Sequence, residues 1–178
     1  MKKLHESEVS KIYYNPDDGL VYKTLKSKKV LREWFDVYKK FQKNAPVVQI
    51  VDIVDENTYT MKHVPNIICT VEKYVSPFAN EYRGTWSKSN FINLHCSVSE
   101  TWQNAMRLSK TLPENKFFVS DDIRLKNIVV TQDKNKNIGF QIIDADSWNI
   151  HSGYTGVDSY YQVMLKIGLC TSRMVHER

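Results

Sequence analysis

Asp122 and Asn127 stand in one polar loop, Ser120 to Asn127, and Asp144 closes the apolar run Gln141-Ile142-Ile143 a short way downstream. An aliphatic run, Ile128-Val129-Val130, joins them. Residue types in this arrangement suit phosphoryl transfer. One carboxylate accepts or orients the proton of an attacking hydroxyl, while an amide oxygen and a second carboxylate hold Mg²⁺ on the phosphates. Putting Asp122 and Asn127 on one tight loop fixes their separation. Putting Asp144 at the end of the adjacent hairpin strand brings it across from Asn127. Blander readings stay open at this point. Asp121-Asp122 also suits a pair of loop-capping carboxylates. Asp144-Ala145-Asp146 also suits an Asx-turn or the metal motif of a nucleotide-sugar transferase, although the α/β repeat that surrounds such a motif is missing.

The elements that must position these residues follow from pattern. Lys11 to Tyr14 and Leu20 to Lys23 read as a hairpin about the turn residues Asn15 to Gly19. Val30, Leu31, Trp34, Val37, Tyr38 and Phe41 recur at helical spacing, and Asn44-Ala45-Pro46 ends that helix. Val47 to Val54 and Thr58 to Val64 are strands. Ile67 to Tyr82 is helical in part. Ser89 to Lys110 is a long helix, with Phe91, Leu94, Val98, Trp102, Ala105 and Met106 on one stripe. Phe117 to Val119 leads into the polar loop. Ile128 to Val130 and Phe140 to Ile143 flank a charged turn at Asp133 to Asn137. A terminal helix covers about Val157 to Leu169. The expected fold is α+β: an N-lobe of antiparallel sheet plus one helix over about 1–65, and a truncated, mainly helical C-lobe over about 66–178.

The loop pair resembles the catalytic and metal-binding loops of the protein-kinase-like superfamily. Asp122, Ile123, Asn127 and Ile128 match its catalytic-loop pattern, and Asp144 matches its metal-binding Asp. Asp-x-Asp at that place is similar to the small-molecule and atypical branches. The resemblance implies ATP and Mg²⁺ as cofactors, with Asp122 catalytic and Asn127 and Asp144 on the metal. Val21-Tyr22-Lys23 resembles the Val-x-x-Lys strand, which makes Lys23 the phosphate lysine. A carboxylate at Glu33, between Val30 and Val37, is unusual unless paired. The resemblance makes it the helix glutamate that orients Lys23; a solvated residue pairing with Lys29 or Lys40 is the alternative. Met61 would guard the adenine pocket, and Lys62, His63 and Val64 would offer hinge backbone. Arg124 lies where many protein kinases carry a lysine near the transferred phosphate, or is a surface cation. Gly156-Val157-Asp158, with Gly168 beyond, is similar to the helix that buttresses the catalytic loop, and Asp158 also suits a plain N-cap.

The departures from the family pattern are definite. Gly19 is the only glycine before Gly84, so the hairpin turn replaces a Gly-rich loop. Ser120 stands in place of His and Asp121 in place of Arg, and the segment from Asp144 to Asp158 is short. The expected activity is ATP-dependent transfer to a hydroxyl, a protein Ser/Thr ahead of a small molecule. A pseudokinase or kinase mimic that binds a partner protein is the alternative. The net charge of +5 is spread along 178 residues. It reads as a solvated surface, with a basic face for nucleic acid as the weaker reading. Cys69, Cys96 and Cys170 show no ligand or disulfide spacing, which suggests reduced thiols and a cytoplasmic protein. Met1 to Lys11 does not read as a signal peptide, and no apolar run is long enough to span a bilayer. Richness in Lys, Asn and Ile is common in AT-rich genomes, including viral ones, and would place the protein in a host cytoplasm.

Overall fold

A computed structural model describes residues 1–28, 30–74, 87–153 and 164–165. Strands β1 (Lys2–Glu6), β2 (Ser10–Asn15), β3 (Leu20–Leu25), β4 (Ile50–Ile53) and β5 (Thr58–Lys62) form an antiparallel sheet in the order β1-β2-β3-β5-β4. Helix α1 (Arg32–Phe41) is inserted between β3 and β4. The expected succession of strand, strand, helix, strand, strand is therefore present, with β1 added at the edge. Val47 is not part of a strand but makes an isolated parallel bridge to Ile142, so the expected long strand shrinks to β4.

The β2–β3 turn closes on its own side chains. Gly19 sits at φ 70°, a conformation open to glycine without cost, and its N–H reaches the Asn15 carbonyl at 3.0 Å. Asp18 accepts from the Leu20 N–H at 2.8 Å and from the Tyr22 hydroxyl at 2.6 Å. Along β3, Val21, Lys23 and Leu25 point to the buried face, as period-2 alternation requires. The register Val21↔Met61 and Lys23↔Tyr59 puts Met61 and Tyr59 on that same face.

Strand β6 (Ile67–Thr70) opens a second sheet, ordered β6-β8-β9 with β8 (Ile128–Gln132) and β9 (Ile138–Ile142). This corrects the helical reading of Ile67 onward: helix α2 spans only Val71–Tyr74, and the rest of that stretch lies outside the described residues. Helix α3 (Lys88–Ser109) begins at Ser87, whose hydroxyl accepts from the Asn90 N–H at 3.3 Å, an N-cap bond. Its buried residues include Phe91, Leu94, Val98, Trp102 and Ala105, the expected stripe. Strand β7 (Lys116–Ser120) pairs with β10 (Trp148–Ser152), a strand that pattern alone had not shown. Short 3₁₀ turns fall at Leu125–Asn127 and Ala145–Ser147. Met164 and Leu165 are helical; Asp158 and the rest of the expected terminal helix lie outside the described residues.

Between the sheets runs an aromatic core. Phe41 meets Trp148 at 4.5 Å and Phe118 at 5.1 Å between ring centroids, and Tyr38 meets Phe41 at 5.7 Å. Trp34 donates from Nε1 to the Trp148 carbonyl at 2.6 Å. Helix α1 is thereby fixed to β7 and β10 as well as to its own sheet.

Candidate active site

Lys23 is the centre of the site. It is only 6 % exposed, in mid-strand on the buried face of β3. An ammonium in that position is tolerated only if paired. Its partners are two carboxylates: Asp144 Oδ1 at 2.8 Å, and Asp146, which also accepts from the Tyr59 hydroxyl at 3.0 Å.

Asn127 joins them by strand register. Ile128 pairs with Ile142 across β8 and β9, so Asn127 before β8 and Asp144 after β9 meet at the same open end of the hairpin. Asn127 Nδ2 donates to Asp144 Oδ2 at 3.2 Å, and the Ile143 N–H reaches the Asn127 carbonyl at 2.9 Å. The expectation that loop and hairpin would bring these two groups together is met.

Asp122 lies on the same loop and is tied to the cluster through two serines. Its N–H donates to Ser120 Oγ at 3.3 Å; Ser120 Oγ donates to Ser147 Oγ at 3.2 Å; Ser147 Oγ donates to the Asp144 carbonyl at 2.8 Å. Ser120 is thus a buried link between the two loops. The Asp122 carboxylate is held by Arg124. Arg124 therefore lies beside Asp122, an exposed pair at the mouth of the loop.

Glu33 is not at Lys23. It is exposed and pairs with Lys116 at 2.9 Å. The inward stripe of α1 is Trp34, Phe35, Val37, Tyr38 and Phe41, and Glu33, one residue before Trp34, is rotated off it. The carboxylate beside Lys23 that pattern reading left out is Asp146. The available signals were its spacing of two from Asp144 and the inward position of Tyr59 on β5. Further along β5 and beyond it, Met61 and Val64 are buried, Lys62 and His63 are exposed, and the His63 ring lies tilted against Tyr14 at 4.9 Å between centroids.

Burial opposes every charge in this cluster. It is the largest influence on Lys23, yet the Asp146 and Asp144 charges overcome it and hold the ammonium above its ordinary value. For Asp144, burial and the nearby Asp146 charge prevail over Lys23, and the carboxyl is raised. For Asp146, burial is outweighed by Lys23 and the Tyr59 hydroxyl, and the carboxyl is lowered. Burial, then the Asp146 charge, pushes Tyr59 well above the ordinary tyrosine value, so its hydroxyl keeps the proton it donates. A cavity of about 170 Å³ adjoins Asp146 on the α1 side, lined also by Lys28, Glu33, Trp34, Lys116 and Asn149. Its lining does not include Met61 to Val64.

No protein-family model and no curated protein sequence matches the chain. A solved structure does: "WaaP in complex with acyl carrier protein", with TM-score 0.60 and 10 % identity, over 99 % of this chain and 78 % of that one. The fold is coarsely kinase-like. Among the described residues no group of three or more His, Cys, Asp or Glu forms a metal cage. No helix among them is long and apolar enough to cross a membrane.

Proposed function

We propose that this chain is an ATP-dependent phosphotransferase that moves the γ-phosphoryl group to a hydroxyl acceptor. The observation that carries the reading is the buried Lys23 set against Asp144, with the Asn127 amide on the other oxygen of the same carboxylate. Lys23 would exchange a carboxylate for phosphate oxygens, which its point charge suits. Asp144 and Asn127 fit Mg²⁺ by donor chemistry, since that ion takes one or two carboxylates and fills its shell with phosphate and water. When bound, it would neutralise charge on the phosphates. Met61, Lys62, His63 and Val64 would border the adenine. Asp122 would align the acceptor hydroxyl once Arg124 moves to the phosphate or aside.

A protein Ser/Thr acceptor rested on Arg124 and on a sequence that offers no helical insertion to build a small-molecule pocket; Arg124 pairs with Asp122, and the proposal names a hydroxyl, of a small molecule or a protein. A protein partner belongs to the same proposal. The kinase-mimic reading is favoured by one observation, the pairing of Asp122 with Arg124.

The test separates binding from transfer. Mg·ATP should raise the melting temperature of the wild type, because a ligand of the folded state stabilises it. Asp144→Ala should lose both that shift and phosphotransfer. Asp122→Ala should keep the shift and lose transfer by about 10²–10⁴. A shift with no turnover in the wild type would favour the mimic, and no shift at millimolar nucleotide would remove the nucleotide reading.

A further inference from the structure

Resting on the nucleotide reading above, we propose that Asp146, and not a helix carboxylate, is the positioning residue for the phosphate-binding Lys23. A lysine that grips phosphate in a buried site needs a counter-charge that stays in place when ligand and metal arrive. Asp144 cannot serve alone. One of its oxygens faces Asn127, and the carboxylate is the one at the open hairpin end, where it would turn to the metal. Glu33 cannot serve from its present place, exposed and paired with Lys116.

Asp146 meets the requirement from every side. Its carboxylate takes Lys23 and the Tyr59 hydroxyl, and Tyr59 is fully buried on the face of the sheet that carries Lys23. Its backbone carbonyl accepts from Lys28 at 3.2 Å and from Asn149 Nδ2 at 3.2 Å, and Lys28 also donates to Asn149 Oδ1 at 2.5 Å. The 3₁₀ turn that carries it is bound to the Asp121 N–H through the Ser147 carbonyl at 2.8 Å. The groups that bond Asp146 directly all lie outside α1, whose Trp34 supports them only from behind, packing on Tyr59 at 5.4 Å between ring centroids and donating to the Trp148 carbonyl. The lysine-orienting carboxylate has moved from the helix to the turn after the metal-binding Asp. The charged partners of Lys23 are then both on the turn after β9, and none is on α1.

The experiment measures ATP affinity over a series of Mg²⁺ concentrations, from none to saturating, for the wild type and three variants. Asp146→Asn should weaken binding on the order of tenfold, the loss of one charge-assisted contact. The factor should be the same at every Mg²⁺ concentration. Tyr59→Phe, which leaves the charge and removes its support, should weaken binding in the same Mg²⁺-independent way by a smaller factor; it also answers if Asp146→Asn fails to fold. Glu33→Gln should bind as the wild type does. A loss in Asp146→Asn that saturating Mg²⁺ repairs would make Asp146 a metal ligand and overturn the proposal. So would wild-type affinity in Asp146→Asn, or a loss in Glu33→Gln equal to that of Asp146→Asn. A wild type that binds no ATP at any Mg²⁺ concentration would instead remove the nucleotide reading itself, and this inference with it.

Discussion

Ser147 touches both functional loops, accepting from Ser120 and donating to the Asp144 carbonyl. It is buried, so Ser147→Ala leaves two polar atoms without their partner. Such an orphaned group costs about 1–3 kcal/mol. The expected result is a lowered melting temperature together with a loss of phosphotransfer larger than the loss of ATP affinity, because the link spaces Asp122 from Asp144. Calorimetry beside steady-state kinetics checks it. At this scale much of the site was legible. The meeting of Asn127 with Asp144 followed from loop and hairpin logic, and Lys23 was singled out through the resemblance of its strand. Glu33 was misplaced because it borders the apolar stripe, and one residue on a helix turns the side chain by about 100°. Asp146 was in view as half of Asp-x-Asp, yet its partner Lys23 lies 123 residues away, beyond any local pattern.

Strand β1 is wholly exposed, with Lys2, Lys3 and Glu6 charged, at the open edge of the five-stranded sheet. Charges on an edge strand discourage pairing with another chain, and they also hid this strand from a reading based on apolar alternation. Its register is held in part by Glu6, which takes Lys3 at 2.7 Å and Lys26 at 3.3 Å, with Lys11 at 3.6 Å. The Lys3 and Lys26 hydrogen bonds lead in lowering the Glu6 carboxyl to about 2. A folded-state value below the unfolded one contributes stability that is present above the ordinary glutamate range and is lost as pH falls toward the folded value. The melting temperature of Glu6→Gln should therefore lie below that of the wild type at neutral pH, with the gap closing between the ordinary range and about 2. Because these groups are exposed, added salt should narrow the same gap. Paired melts across pH and ionic strength decide it. Elements with a local signature, the β2–β3 hairpin and α3, were legible throughout. Ile67–Thr70 was not, because a short apolar run suits helix or strand until its neighbour is known, and that neighbour, β8, is distant in sequence.

The molecule is held together across its sheets by Tyr38, Phe41, Phe118 and Trp148. Phe41 touches each of the other three, so Phe41→Ala should cost about 3–5 kcal/mol and lower the cooperativity with which the two parts unfold. Urea unfolding followed by tryptophan fluorescence and by far-ultraviolet dichroism would show it, as two transitions that no longer coincide. The α+β class and the order of the first five elements after β1 were readable from the chain, whereas the β7–β10 pairing was not, since it joins strands separated by the whole β8–β9 hairpin. One further connection bears on how the protein moves. The segment between α1 and β4 is stitched to β9: the Val48 N–H reaches the Ile142 carbonyl at 2.7 Å, the Ile142 N–H reaches the Pro46 carbonyl at 2.9 Å, and Gln141 Nε2 reaches the Val47 carbonyl at 3.0 Å. Swinging the large sheet away from the β8–β9 hairpin would tear all three at once. These three bonds act as a weld rather than a hinge, resisting any swing of the one sheet against the hairpin of the other.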